Sequence, residues 1–179
     1  MKIINTSIDD VKIIQPKVFG DDRGYFFESF NQKIFNEKVC RRNFIQDNES
    51  YSKKGTLRGL HIQTKNTQGK LVRVVEGEVF DVAVDCRANS STKGKVVFEF
   101  LSAENKKQLW IPEGFAHGFL VVSTFAKFIY KCTDIYNPEF EHSIKWDDED
   151  LGIPWPDSIT NISEKDKNGI TFQDFLKLW

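Results

Sequence analysis

The chain lacks any run of 18 apolar residues, any C-x-x-C pair and any excess of charge of one sign. Each absence excludes something. Without a long apolar run there is no candidate membrane-spanning helix. The start, Met1-Lys2-Ile3-Ile4-Asn5, has no long apolar core and turns acidic at Asp9-Asp10, so no secretory signal is expected. A formal net charge of −1, from 25 basic and 26 acidic residues, provides no general field for nucleic acid or an anionic membrane. An anionic ligand has to be gripped by local arginines and lysines. The three cysteines, Cys40, Cys86 and Cys132, are odd in number and widely spaced. They suit buried thiols in a reducing compartment, and the expected location is the cytoplasm.

What is present is a globular composition. The hydrophobic share is 40%, phenylalanine occurs 16 times, and no linker, repeat or low-complexity segment divides residues 1–179, which read as one domain. Short strand-like runs recur between Gly, Asn, Ser and Pro: Val11–Phe19 broken at Pro16, Tyr25–Phe30, Phe44–Asn48, Leu71–Val75, Val79–Asp85, Val96–Leu101, Gln108–Ile111, His117–Ser123 and Ala126–Tyr136. That pattern predicts an all-β sandwich or barrel. Asn31 is placed to cap a short helix through Val39, and Thr171-x-x-Asp174 to cap another before Phe175. Phe119-Leu120-Val121-Val122 is apolar on both faces, which predicts two packed sheets and a further covering surface such as a dimer partner.

The stretch Thr56–Val75 carries the chemistry. Two strand-like runs flank the polar loop Thr64–Gly69, the first reaching His61 and the second starting at Lys70. Paired as a hairpin, they bring a proton carrier and a fixed cation to one space. His61 on an apolar strand is either structural or a general base. A flat strand would send Arg58 and His61 to opposite faces, whereas a bulge at Gly59 would bring both to one cavity. Lys70 is either a lysine snorkelling at a strand end or a cation that stabilises an oxyanion. Tyr130 shares a face with Cys132, Asp134 and Tyr136 by period-2 counting, and a straight strand would hold the two tyrosines roughly 20 Å apart. Arg23, Glu28, Gln46, Asn48 and Arg58 are polar among apolar neighbours. Singly they read as solvated edge positions. Together they form a set that can bind diphosphate, with Arg23 and Glu28 supplied by the same subunit or a dimer mate.

Pro112-x-Gly114-x-x-His117 resembles the second motif of cupins, small double-stranded β-helix barrels. The matching first motif reads His61-Ile62-Gln63, which lacks a second histidine, so three metal ligands cannot be assembled at known spacing. No metal is expected, and His117 reads as a wall residue or substrate hydrogen-bonder.

In order, Asp22-Arg23-Gly24-x-Phe26-x-Glu28, Gln46-Asp47-Asn48-x-Ser50, Leu57-Arg58-Gly59-Leu60-His61-x-Gln63, Gly69-Lys70-Leu71-Val72-Arg73-Val74, Gly77-Glu78-Val79-x-Asp81, Leu109 to Phe119, Tyr130-Lys131-x-Thr133 and Ser163-Glu164-Lys165-Asp166 resemble the dTDP-4-dehydrorhamnose 3,5-epimerase family. The resemblance spans roughly residues 10–170. It implies a cupin-like jelly-roll barrel with a few short helices, a homodimer, no cofactor, and a dTDP-linked 4-keto-6-deoxy sugar as substrate. It also implies roles: His61 as base, Asp166 as the carboxylate that orients it, Tyr130 as acid on the opposite face, and Lys70 beside the C4 oxygen. Arg23, Glu28, Gln46, Asp47, Asn48, Arg58, His117, Glu141 and Lys165 would bind the nucleotide-sugar, with Tyr136 stacked on thymine. The chain has Ile62 where the family often has tyrosine, which leaves open a single-centre epimerase or ketoisomerase on a related sugar. A metal-dependent cupin oxygenase and a non-catalytic sugar-binding cupin are the readings from other classes.

Overall fold

A computed structural model describes residues 1–179. Two antiparallel sheets face each other. The first six-stranded sheet runs β1 (Lys2–Asn5), β2 (Lys12–Gln15), β10, β7, β12, β5, and a separate small hairpin joins β3 (Phe19–Asp21) to β4 (Gly24–Phe26). Between them in sequence come α1 (Gln32–Lys38), β5 (Gln46–Lys53), β6 (Thr56–Gln63), β7 (Lys70–Glu76), β8 (Glu78–Asp85), β9 (Val96–Ser102), β10 (Gln108–Ile111), β11 (Phe115–Val121) and β12 (Phe125–Cys132). The second sheet runs β13 (Glu141–Ser143), β6, β11, β8, β9, with β14 (Asn161–Ile162) added parallel to β6. Two short helices, α2 (Glu164–Lys167) and α3 (Phe172–Leu176), finish the chain. The architecture is the expected all-β, cupin-like jelly roll.

Strand parity sorts the side chains into three apolar clusters. Inward residues such as Val72, Val74, Leu101, Leu109, Phe119, Val121 and Phe128 fill the space between the sheets. On the outer face of the first sheet, Leu71, Trp110 and Ile14 are covered by Phe35 of α1, whose ring meets Trp110 edge-on at 5.2 Å. The Asn31 side chain caps that helix on the Ile34 amide, as its sequence predicts. On the outer face of the second sheet, Leu57, Leu60, Ile62, Ala116 and Leu120 are covered by Ile144, Leu151, Phe172 and Phe175. Both faces of β11 are therefore buried. The expected covering surface exists, and over the second sheet the chain's own C-terminal segment supplies it.

Several local expectations change. β6 and β7 belong to different sheets, so Thr64–Gly69 is a crossover between sheets and not a hairpin turn. The run Tyr25–Phe30 is strand only to Phe26, β5 begins at Gln46, and β11 spans Phe115–Val121 in place of His117–Ser123. β12 ends at Cys132, four residues before Tyr136. With no straight strand between Tyr130 and Tyr136, the 20 Å separation loses its premise.

Asp85 closes β8 and holds the loop after it. Burial alone would raise its pKa, yet bonds from the Arg87 side chain and amide, Ser90 and Thr92 outweigh burial and bring it from 3.8 to about 2. A depressed carboxylate stabilises the fold above its unfolded pKa, and that contribution is lost as pH falls through the folded one. Urea titrations from pH 5 to 2 are expected to show about 2 kcal/mol of stability lost between pH 4 and pH 2 that Asp85→Asn lacks throughout.

Candidate active site

The site forms at one end of the barrel interior, where the inward positions turn from apolar to polar. On the second sheet, His61 of β6 faces His117 of β11 as a cross-strand pair, so both rings point between the sheets. The ladder slips at the next step: Arg58 pairs with Phe119, so two residues of β6, Gly59 and Leu60, oppose the single Gly118 of β11. This is the bulge expected at Gly59, and it turns Arg58 and His61 to the same face. Gly59 has φ +120°, and a Cβ there would lie 2.5 Å from the Gly118 Cα and 2.7 Å from the His117 carbonyl oxygen. Only glycine meets both demands.

Asp166 reaches His61 from α2. Its Oδ1 lies 2.6 Å from His61 Nε2 and 3.4 Å from the Ser143 hydroxyl, and Ser163 caps α2 on the Asp166 amide. Burial by itself would raise the Asp166 pKa, but the bond and charge of His61 and the Ser163 bond hold it below the usual carboxylate range. An ionised carboxylate only accepts, so Nε2 carries the hydrogen and Nδ1 keeps its lone pair. Nδ1 faces Glu141 Oε1 at 3.8 Å, too far for a hydrogen bond but close enough to steady an imidazolium.

The first sheet provides the opposite wall. Cys132 pairs with Lys70 and Gln46, and Tyr130 with Val72 and Asn48, so Gln46, Asn48, Lys70, Tyr130 and Cys132 all share the inward face. Burial pushes the Tyr130 hydroxyl up to about 12, so it is protonated at neutral pH. Burial also lowers the pKa of Lys70. Lys70 and His61 line one small cavity with Gln63, Gln68, Phe115 and Glu141. The hairpin expectation fails, but its consequence holds, because the crossover sets the two residues face to face across the barrel.

The remaining expected residues divide into two groups. Arg58 donates to Ser52 Oγ at 3.0 Å and lines with His61 and Lys165 a recess of about 480 Å³. Gln46 Oε1 accepts from the Tyr136 amide at 2.8 Å. Tyr136 donates its hydroxyl to Glu141 at 2.8 Å, and Lys165 is ion-paired to the same carboxylate oxygen. Burial would raise the Glu141 pKa, and Lys165, His61 and Tyr136 together lower it. His117 is buried with Nε2 between the two oxygens of Asp81, at 3.1 and 3.0 Å.

Three residues lie elsewhere. Asp47 alternates with Gln46 and Asn48, so its side chain points outward and pairs with Lys131 at 2.9 Å. Arg23 and Glu28 are exposed, Arg23 paired to Asp21 at 2.6 Å on the small hairpin and Glu28 bonded to Asn31. Neither lines the cavities that hold His61. Ile62 also faces away from its neighbour His61, buried in the cluster under the C-terminal segment. Asp81 and Ser143 were not among the expected residues. Asp81 had one signal, a charge inside the apolar run Phe80–Val84; Ser143 had none.

A model of the dTDP-4-dehydrorhamnose 3,5-epimerase family matches residues 5–174. The dTDP-4-dehydrorhamnose 3,5-epimerase of Salmonella typhimurium is 59% identical over 169 residues, 93% of this chain and 92% of that protein. A dTDP-6-deoxy-D-glucose-3,5-epimerase from Legionella pneumophila, solved in complex with dTDP-4-keto-L-rhamnose, superposes with TM-score 0.94 at 54% identity, covering 96% of this chain and 93% of that one. A 3'-monoepimerase from Streptomyces bikiniensis, in complex with dTDP-quinovose, superposes with TM-score 0.90 at 31% identity over 97% of this chain and 89% of that one.

Gly59→Ala forces a Cβ into the β11 backbone at a positive φ. It is expected to cost about 2–4 kcal/mol in urea unfolding, and the fraction that folds is expected to lose epimerase activity as Arg58 and His61 part.

Proposed function

The chain belongs to the dTDP-4-dehydrorhamnose 3,5-epimerase family, and from that premise we propose that it converts dTDP-4-dehydro-6-deoxy-D-glucose to dTDP-4-dehydro-L-rhamnose by inverting C3 and C5. What supports the reading is strand geometry: His61, oriented by Asp166, and the protonated phenol Tyr130 occupy inward positions on the two opposed sheets, and Lys70 shares a cavity with His61. Protons on C3 and C5 flank the C4 ketone, so removing either leaves an enolate. His61 takes the proton on Nδ1 while Asp166 holds Nε2–H, and Glu141 offsets the positive charge that develops. Lys70 receives the enolate oxygen. Tyr130 returns a proton from the other side, and the centre inverts. General acid–base assistance of this kind is worth about 10²–10⁴-fold, and a preorganised oxyanion partner contributes a similar factor. Arg58, Gln46, Asn48, His117 and Lys165 hold the nucleotide-sugar, and Tyr136 offers its exposed ring to the base.

The working unit is a homodimer in this reading. Arg23 and Glu28 sit on a projecting segment whose Phe19, Tyr25 and Phe26 are 53%, 61% and 70% exposed. Such a surface gains by docking on a second copy, where Arg23 would reach the partner's diphosphate site. The three cysteines are unpaired thiols, which suits a cytoplasmic enzyme. Neither nucleic acid nor a membrane is needed as a partner. The monoepimerase likeness keeps a single-centre reaction as the second reading.

Incubation with the dTDP-4-keto-6-deoxy sugar in D₂O, followed by NMR, distinguishes these readings. Deuterium at both C3 and C5 is expected, deuterium at one carbon would establish the single-centre enzyme, and none would leave a binding protein. His61→Asn is expected to stop exchange at both carbons in a folded protein, and Tyr130→Phe to slow epimerisation about 10²-fold with dTDP binding retained.

Mixing inactive Arg23→Ala and His61→Asn chains tests the shared site. Random reassociation into dimers restores one intact site in half of them, so about a quarter of wild-type activity is expected. No recovery under conditions of proven subunit exchange would place Arg23 outside the partner's site.

A further inference from the structure

Asp81 is a carboxylate with 0% exposure, set in β8 on the inward face of the second sheet. Its one hydrogen-bond partner is His117 Nε2, nearly equidistant from both oxygens at 3.1 and 3.0 Å. Burial raises the Asp81 pKa, while the charge and bond of His117 and the charge of Lys70 pull it down; as a carboxylate it accepts the Nε2 hydrogen through both oxygens. A buried charge is costly, and an apolar residue in this core would be cheaper. The proposed epimerase chemistry makes no use of Asp81, so the charge needs another account.

Lys70 provides one. It makes no ion pair within the chain, although β12, β13, β8 and α2 present Cys132, Glu141, Asp81 and Lys165 to it. Burial favours the neutral amine. Cys132 is a buried thiol whose pKa burial raises, so it adds no charge at neutral pH. Lys165 repels, and Glu141 is already engaged by Lys165, Tyr136 and His61. The neighbouring rings are also placed: His61 is bound to Asp166 and faces Glu141, and His117, next to Phe128 and Phe119, is kept neutral mainly by burial although Asp81 pulls the other way. Tyr130 stays protonated. Glu141 and Asp81 both favour the Lys70 ammonium, Glu141 the more strongly, and of the two Asp81 is the carboxylate with no cation of its own.

We propose that Asp81 is a positioning residue of this site: it fixes His117 as the Nε2–H tautomer, with Nδ1 left as an acceptor, and supplies the buried negative charge that keeps Lys70 an ammonium ion. The assignment rests on the epimerase reading, because Lys70 needs its proton in order to receive the enolate oxygen. A second carboxylate–histidine pair, one strand from His61–Asp166, then acts on the oxyanion side of the reaction and not on proton abstraction.

The test compares wild type with Asp81→Asn, using dTDP-4-keto-6-deoxy-D-glucose from pH 6 to 10. The alkaline limb of kcat/KM is expected to move toward lower pH by about one unit or more, with kcat at pH 8 down about tenfold and dTDP affinity within twofold. A merely structural role would lower the active fraction without moving the limb, so superimposable profiles overturn the proposal. Long-range nitrogen–proton spectra of wild-type protein labelled at histidine keep it falsifiable if the variant does not fold. A neutral His117 with hydrogen on Nε2 is expected at pH 7, and hydrogen on Nδ1, or a titration near 6.5, overturns it. A wild-type protein that exchanges no deuterium would sink the epimerase reading, while the same spectra would still report whether Asp81 holds the ring.

Discussion

The contact of 2.6 Å between Asp166 and His61 joins the C-terminal segment to the barrel, and the site depends on it. Asp166 can reach the imidazole only because residues after Ser143 fold back over the outer face of the second sheet. Phe172 and Phe175 are buried there against Leu57, Leu60 and Leu120. Burial of large apolar side chains at roughly 25 cal/mol per Å² provides the holding force. The hydrogen bond sets direction, and the apolar contacts deliver the carboxylate to it. Stability of this segment and orientation of the imidazole are thus one property.

The barrel interior is graded along its length. Around Val74, Leu101, Ala126 and Phe128 it is an ordinary apolar core. Toward the mouth the same inward positions carry Lys70, Tyr130, His61, His117 and Asp81. Apolar packing below and polar groups above place several charges in a medium less polar than water. There each charge acts more strongly on its neighbours, and each unpaired one costs more. This explains why the carboxylates have defined partners. Asp166 has His61, Asp81 has His117, and Glu141 has Tyr136 and Lys165. It also marks out Lys70, which has no ion-pair partner within the chain.

Both sheets use their outer faces too. α1 covers the first through Phe35 and Trp110, and the C-terminal segment covers the second. The small β3–β4 hairpin leaves its aromatic side chains Phe19, Tyr25 and Phe26 largely in solvent. It carries Arg23, which the barrel of its own chain leaves outside the site.

The sequence alone determined what depends on near neighbours. Most strand runs, the Asn31 and Thr171 caps and the bulge at Gly59 were legible, because period, capping and glycine's freedom are local properties. The resemblance added Asp166, which no spacing rule connects with His61 across 105 residues. Tertiary structure decided the rest. Only sheet assignment could show that β6 and β7 cross between sheets, since a six-residue polar loop is compatible with either connection. Asp47 faces outward and Ile62 faces away from His61 because adjacent strand residues point to opposite sides, a consequence that shared motif membership concealed. The pairing of Asp81 with His117, and the partial isolation of Lys70, exist only once three strands lie side by side and the barrel closes.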